Sequence, residues 1–255
     1  MSHEQGSSIK TGVGDTLSFV CDQVVAGAGL AVLRGAVGIG KTFALDRIAC
    51  DLEDRGVVVV MITATEAISG NINAFLKAIL GHYHTDTGSS ADAEEATWGM
   101  LAGRPFMTNG RRVLLIVDEA QKLAGRVLET IRGLWDRGDD ARLGDPNGLA
   151  FGCVMVGNPT FMSKGGAQRT ASFEPLLSRV THNMRLPGPN RAECLSLAHS
   201  VFGEAELAAE LAEGGYVRGN FRVMATAARN ARLLAGEGPI TVSHLRQAFK
   251  MMGAK

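Results

Sequence analysis

The chain lacks any run of about 18 apolar residues, the length a membrane-crossing helix needs. Its N-terminal stretch, MSHEQGSSIKTGVG, lacks the apolar centre of a signal peptide. A cytoplasmic protein with no membrane partner is the expectation. It also lacks a charge excess: Lys plus Arg and Asp plus Glu number 26 each, for a formal net charge of zero. A stand-alone nucleic-acid binder usually carries a basic excess. That argues against tight DNA binding by one subunit, but not against a local basic loop repeated around an oligomer. Cysteine is sparse and unpaired in pattern: Cys21, Cys50, Cys153 and Cys194 contain no C-x-x-C spacing. Scattered among apolar neighbours, they read as buried, reduced thiols. His82-x-His84 is the one metal-like spacing, and with no further Cys or His cluster around it a solvated loop is the better reading. No internal repeat is evident. What remains is ordinary globular composition, 45% hydrophobic and 20% charged over 255 residues. That suffices for an ample core, in one large domain or a main domain with a small appendage.

The chain is organised around Gly35-Ala36-Val37-Gly38-Ile39-Gly40-Lys41-Thr42, which matches G-x-x-x-x-G-K-[ST], the phosphate-binding loop of nucleoside triphosphatases. Leu30–Leu33 reads as a short buried strand leading in, and residues 43–52 as a helix leading out. Glycines let successive backbone N–H groups turn inward around a phosphate where a side chain would block the approach. The positive end of the following helix adds to the same anion site. The residues expected to hold ATP are Gly35, Gly38, Ile39, Gly40, Lys41, Thr42 and Phe43. Lys41 would reach the β- and γ-phosphates, and the Thr42 hydroxyl would ligate Mg²⁺.

Around this motif, continuous β-branched and apolar runs at 57–62, 113–117 and 151–156 read as strands buried on both faces. Helical spacing is expected over 15–26, with Asp15 or Thr16 as cap, and over 71–80, 94–102 and 120–135. A loop is expected at 136–147. Strands alternating with helices imply an α/β fold, a parallel sheet with helices on both faces. Pro187-Gly188-Pro189 is a stiff break. Beyond it, alanine- and leucine-rich segments at about 190–202, 204–213, 219–235 and 241–252 read as helices, capped at Asn190 and Thr241. The expected division is a flexible segment 1–14, an α/β nucleotide-binding domain 15–187 and a small helical domain 188–255.

Asp118-Glu119 ends the 113–117 strand. Asp118 would hold the Mg²⁺ hydration shell, and Glu119 would polarise the water attacking the γ-phosphate. Asn158 ends the next buried strand, so a parallel sheet brings it to the same rim as Asp118. An amide there can orient the attacking water, although Gly157-Asn158-Pro159 is also good turn chemistry. Arg179 reads either as a dipole-compensating helix-end residue or as an arginine finger reaching a neighbour's γ-phosphate. Arg222, in Gly219-Asn220-Phe221-Arg222 at a helix start, reads as a nucleotide sensor or a salt-bridge partner. The segment 160–170 holds hydroxyls with Lys164 and Arg169, a composition that suits sequence-independent phosphate contacts or a plain surface loop.

GAVGIGKT, VLLIVDEAQKL, VMVGNPTF, FEPLLSRV and GNFR, in this order, resemble the AAA+ ATPases. The DEAQ form and the VGN strand end look most like the transposition regulators, the MuB, TniB and TnsC group, with the secretion ATPase ExeA as a relative. The resemblance covers roughly residues 15–250. It implies that the helical domain is a lid, that nucleotide sits between subunits with Arg179 acting in trans, and that the protein assembles into filaments or rings on duplex DNA and recruits a transposase. Lys164, Arg169 and the Thr63-Ala64-Thr65 segment, with Thr65 as a contact, would face the DNA. Two departures weaken the transfer of partner recruitment. Residues 1–14 cannot form the helix-turn-helix region of MuB, and no long C-terminal extension is expected. A nucleotide-gated switch that binds only protein partners is the alternative, as is an ExeA-like motor.

Overall fold

The computed structural model describes residues 9–81, 89–103, 108–144, 151–162 and 173–253. Contacts divide the chain into two units. One comprises Leu17–Gly35 and Thr42–Arg185, and the other residues up to Thr16, Ala36–Lys41 and the chain from Leu186 onward.

The first unit is built on five parallel strands: β1 (Leu30–Arg34), β2 (Val58–Thr63), β3 (Val113–Asp118), β4 (Gly152–Gly157) and β5 (His182–Arg185). Their order across the sheet is β2-β3-β4-β1-β5. Parallel neighbours need crossover connections, and helices supply them. α1 (Gly12–Gly27), which belongs to this unit from Leu17 onward, precedes β1, and the helices between the strands are α2 (Lys41–Asp54), α3 (Glu66–Ser69), α4 (Ile72–Leu80), α5 (Ser90–Leu101) and α6 (Gly125–Gly144). Every residue of β3 and β4 is buried, as their unbroken apolar runs require. Alternate strand residues Leu30, Val32, Val60, Leu115 and Met155 share one core with Phe75, Leu76 and Ile79 of α4 and Val127 and Ile131 of α6. The opposite-facing Leu33, Ile116 and Val154 are just as buried. On that side α1 approaches so closely that a Cβ on Gly152 would lie 2.7 Å from the Val24 side chain. The register Thr63↔Asp118 brings the C-terminal ends of β2 and β3 level, and the Gly35 N–H donates to the Gly157 carbonyl at 3.0 Å. The rim of the sheet where ligands bind in open α/β folds is thus drawn together from β1, β3 and β4.

The second unit holds α7 (Arg191–Val201), α8 (Ala205–Val217), α9 (Phe221–Ala235) and α10 (Val242–Met251) around a core that includes Ala198, Leu211, Met224, Ala227, Leu245 and Phe249. Asn190 and Thr241 cap α7 and α10 through capping boxes. Gly214, inside α8, is set by packing: a Cβ there would lie 2.2 Å from the Phe249 ring.

Three expectations are corrected. α1 starts at Gly12, inside the segment read as flexible, and its first turn is closed by Thr11, whose hydroxyl accepts the Gly14 N–H at 3.1 Å, rather than by Asp15 or Thr16. The helix read at 120–135 is a 3₁₀ turn, Ala120–Lys122, followed by α6, which runs through the expected loop to Gly144. That extension is supported by Arg137, which pairs with Glu95 at 2.7 Å and stacks over Trp98 at 4.5 Å. β5, for which the sequence offers no expectation, is an edge strand beside β1. Cys50 is exposed on the outer face of α2, while Cys21, Cys153 and Cys194 are buried as expected. Among the described residues no helix is long and apolar enough to cross a membrane. Residues 82–88, with His82 and His84, lie outside the described residues.

Candidate functional site

The phosphate loop is a strand-to-helix turn in which Gly38 and Gly40 adopt φ of +79° and +91°, the left-handed region open to glycine. Its six central residues belong with the helical unit because α9 begins against them. The Arg222 N–H donates to the Gly38 carbonyl at 3.2 Å, and the Asn220 side chain fills the space over Gly38. The Lys41 ammonium donates to the Ala36 carbonyl at 2.9 Å, closing the loop on itself. Ile39 is buried and offers a ligand only its backbone, whereas Phe43 projects with 70% of its surface exposed. Arg222 is exposed on α9.

In the α/β unit the helix start at Thr42 meets the end of β3. The Thr42 hydroxyl donates to Asp118 Oδ2 at 2.6 Å, and Asp118 is fully buried. The other oxygen, Oδ1, accepts the Glu119 N–H at 2.8 Å. A buried carboxylate beside a hydroxyl is a hard oxygen donor set of the kind Mg²⁺ takes together with waters and phosphate oxygens. The residues present therefore fit that ion. Glu119 itself stands in the left-handed region at φ 54°, a conformation costly for a non-glycine residue and concentrated at functional sites.

Sequence reasoning missed one member of this group. Gln121, in the 3₁₀ turn, donates from Nε2 to Glu119 Oε2 at 2.6 Å and accepts the Asn158 N–H on Oε1 at 3.0 Å. The DEAQ string carried its identity, but no spacing rule assigns it a partner. The Asn158 side chain, in turn, accepts from the Thr160 N–H at 3.0 Å and the Thr160 hydroxyl at 2.7 Å, which makes it the organiser of the turn after β4. Asp118, Glu119 and Asn158 thus stand together at one rim, joined through Gln121.

Arg179 lies in the same unit and is engaged within its own chain. Its guanidinium faces the Asp136 carboxylate at 3.1 and 3.3 Å, and Asp136 also binds Arg132. Thr65 is exposed beyond β2, at the N-cap position of α3, and its side chain makes no capping bond. Lys164 and Arg169 lie outside the described residues.

Residues 25–161 match the model of the AAA domain family. The chain belongs to that family. The match spans the phosphate loop, the Asp118-Glu119 strand end and the Asn158 strand end, and it makes the protein an AAA-type nucleoside triphosphatase. Solved structures agree on the fold. The ORC2 protein of Aeropyrum pernix, in its ADPNP–ADP complexes, superposes with a TM-score of 0.66 at 18% identity, covering 94% of this chain and 67% of that one. CDC6P of Pyrobaculum aerophilum gives 0.70 at 16%, covering 98% and 69%. The RuvB Holliday junction branch migration motor of Thermotoga maritima gives 0.52 at 15%, covering 94% and 68%. No curated protein matches the chain.

Proposed function

We propose that the protein is a DNA-stimulated ATPase that assembles on duplex DNA and acts, like the transposition regulators its motifs resemble, as a target-DNA selector and transposase activator. The observation that carries the ATPase reading is the Thr42–Asp118 hydrogen bond at 2.6 Å with Glu119 immediately next in the chain. The inward N–H groups of residues 38–42 and the Lys41 ammonium bind the triphosphate. Thr42 and Asp118 hold Mg²⁺, which when bound neutralises charge on the phosphate oxygens. Glu119 accepts a proton from the attacking water as the water oxygen bonds to the γ-phosphorus and the bond to the bridging oxygen breaks, leaving ADP and phosphate. Asn158 fixes the rim on which the water is held. Arg179 exchanges Asp136 for the γ-phosphate of a neighbouring subunit, and Arg222 answers to nucleotide from the helical lid, the domain from 188 onward. Lys164, Arg169 and Thr65 are the proposed DNA contacts.

DNA binding rests on the motif resemblance and on fold likeness to proteins such as the branch migration motor. Zero net charge favours subunits that bind DNA weakly alone and strongly as a polymer. The same neutrality favours the second reading, a nucleotide-gated switch for protein partners. Imaging of the Glu119→Gln protein with ATP, with and without duplex DNA, separates them. That variant should retain ATP while hydrolysing it at least about 100-fold more slowly. Filaments or rings that need both ligands support the first reading. Assembly indifferent to DNA supports the second, and wild-type hydrolysis would remove Glu119 from its role.

A further inference from the structure

We infer that Gln121 is a positioning residue for Glu119, and that it ties the aim of the attacking base to the backbone at the end of β4. The inference rests on the reading of Glu119 as the proton acceptor in ATP hydrolysis.

The orientation of the Gln121 amide is chemically forced. A backbone N–H only donates, so the Asn158 N–H, 3.0 Å away, requires the amide oxygen on its side. The amide nitrogen is then turned to Glu119 Oε2, an acceptor-only carboxylate oxygen at 2.6 Å. Flipping the amide would set donor against donor on one arm and acceptor against acceptor on the other. Gln121 therefore engages one carboxylate oxygen of Glu119, Oε2, and on the reading of Glu119 as the base it is Oε1 that takes the proton of the water.

The turn that carries Gln121 is itself fixed. The Lys122 N–H closes it on the Glu119 carbonyl at 2.9 Å, and Ala120 is fully buried beneath it. From the other side Ser69 binds the Lys122 carbonyl and accepts the Ala124 N–H on its own carbonyl at 2.7 Å. Glu119 pays for its left-handed backbone within this frame. A base held in an unfavourable backbone conformation needs a side-chain restraint to keep its aim, and among the described residues Gln121 supplies one to the carboxylate. The second arm reaches Asn158, whose side chain organises Thr160 at the start of the segment after β4.

The test is steady-state ATP hydrolysis by the full chain carrying Gln121→Glu or Gln121→Met, with ATP binding and melting temperature measured in parallel. Gln121→Glu keeps an acceptor for the Asn158 N–H but sets a second carboxylate against Glu119. Gln121→Met keeps the length and loses both hydrogen bonds. Both should lower kcat by about tenfold or more, a part of what general-base catalysis contributes. ATP affinity should stay within about twofold and melting should be nearly unchanged, because the phosphate loop is untouched. Glu119→Gln is run alongside. If it turns over like the wild type, the reading of Glu119 fails. If it is inactive while the Gln121 variants keep the wild-type kcat, only the positioning inference fails. A loss of kcat that follows a loss of ATP affinity or of melting temperature marks Gln121 as structural and also overturns the inference.

Discussion

Replacing Gly38 by Ala tests how the phosphate loop is held by the start of α9. A Cβ at Gly38 would lie 2.0 Å from Asn220 Oδ1, far inside contact distance. Asn220 is a side chain and can rotate, so the overlap itself is not the cost. The cost is what Asn220 gives up, since Oδ1 caps α9 by accepting the Arg222 and Val223 N–H groups at 2.9 and 3.3 Å. Losing such a cap costs about 1 kcal/mol. The left-handed φ of +79° adds about 1–2 kcal/mol for any side chain. Gly38→Ala should therefore cost about 2–3 kcal/mol. Asn220→Gly should cost only a few tenths, because glycine leaves the cap position open to water. In the double variant the overlap is gone and only the backbone strain and that small cap loss remain. The double variant should be about 1 kcal/mol more stable than the sum of the two single changes, beyond the roughly 0.5 kcal/mol scatter of additive pairs. Gly40→Ala is the control, because its Cβ would meet Phe221 at an ordinary 3.7 Å and should not couple to Asn220. Urea unfolding without nucleotide measures the cycle, and hydrogen exchange at the Arg222 and Val223 amides reports the cap directly. Strict additivity, or unchanged exchange at those amides in Gly38→Ala, would refute the account.

The remaining predictions concern the subunit boundary and the thiols. Neither Lys41→Ala nor Arg179→Ala protein should hydrolyse ATP alone, yet mixing them should restore activity, because a Lys41-intact site can be completed by an Arg179-intact neighbour. Activity that stays at zero at every ratio would remove the trans role and leave Arg179 as the partner of Asp136. Burial pushes the Cys21 thiol up from 9.0 to about 12, helped by the neighbouring Asp22 charge, and burial alone does the same for Cys153. Cys50 is the exposed thiol of the four, so a thiol reagent at pH 8 should label it first in the native protein and the other three only after unfolding. Because the folded state holds those two thiols protonated, stability should be unaffected by them below about pH 9. It should fall as pH rises from there towards about 12, by up to about 1.4 kcal/mol per pH unit for each thiol. A stability that rises over that window would contradict their burial.

Residues whose chemistry is local were legible in the sequence, and residues defined by a distant partner were not. The phosphate loop, the β3 run ending in Asp118-Glu119 and the caps at Asn190 and Thr241 each follow from a spacing and a residue type within a few positions. β5 did not, because His182-Asn183-Met184-Arg185 pairs with β1 at one edge only and carries no apolar run to reveal it. The extension of α6 past Trp135 hid behind Asp136, Gly138 and a dense charge run, all of which read as loop. There the stabilising partners, Glu95 and Trp98, come from another helix and Arg179 from later in the chain. Gln121 is the sharpest case. Its sequence position beside Asp118-Glu119 suggested part of a motif string, yet its two hydrogen bonds reach a carboxylate two residues back and a backbone amide just past the end of β4. Only the parallel register that brings β3 beside β4 creates that second contact. The acid that can take a proton was written in the sequence, and what aims it was written in the pairing of the strands.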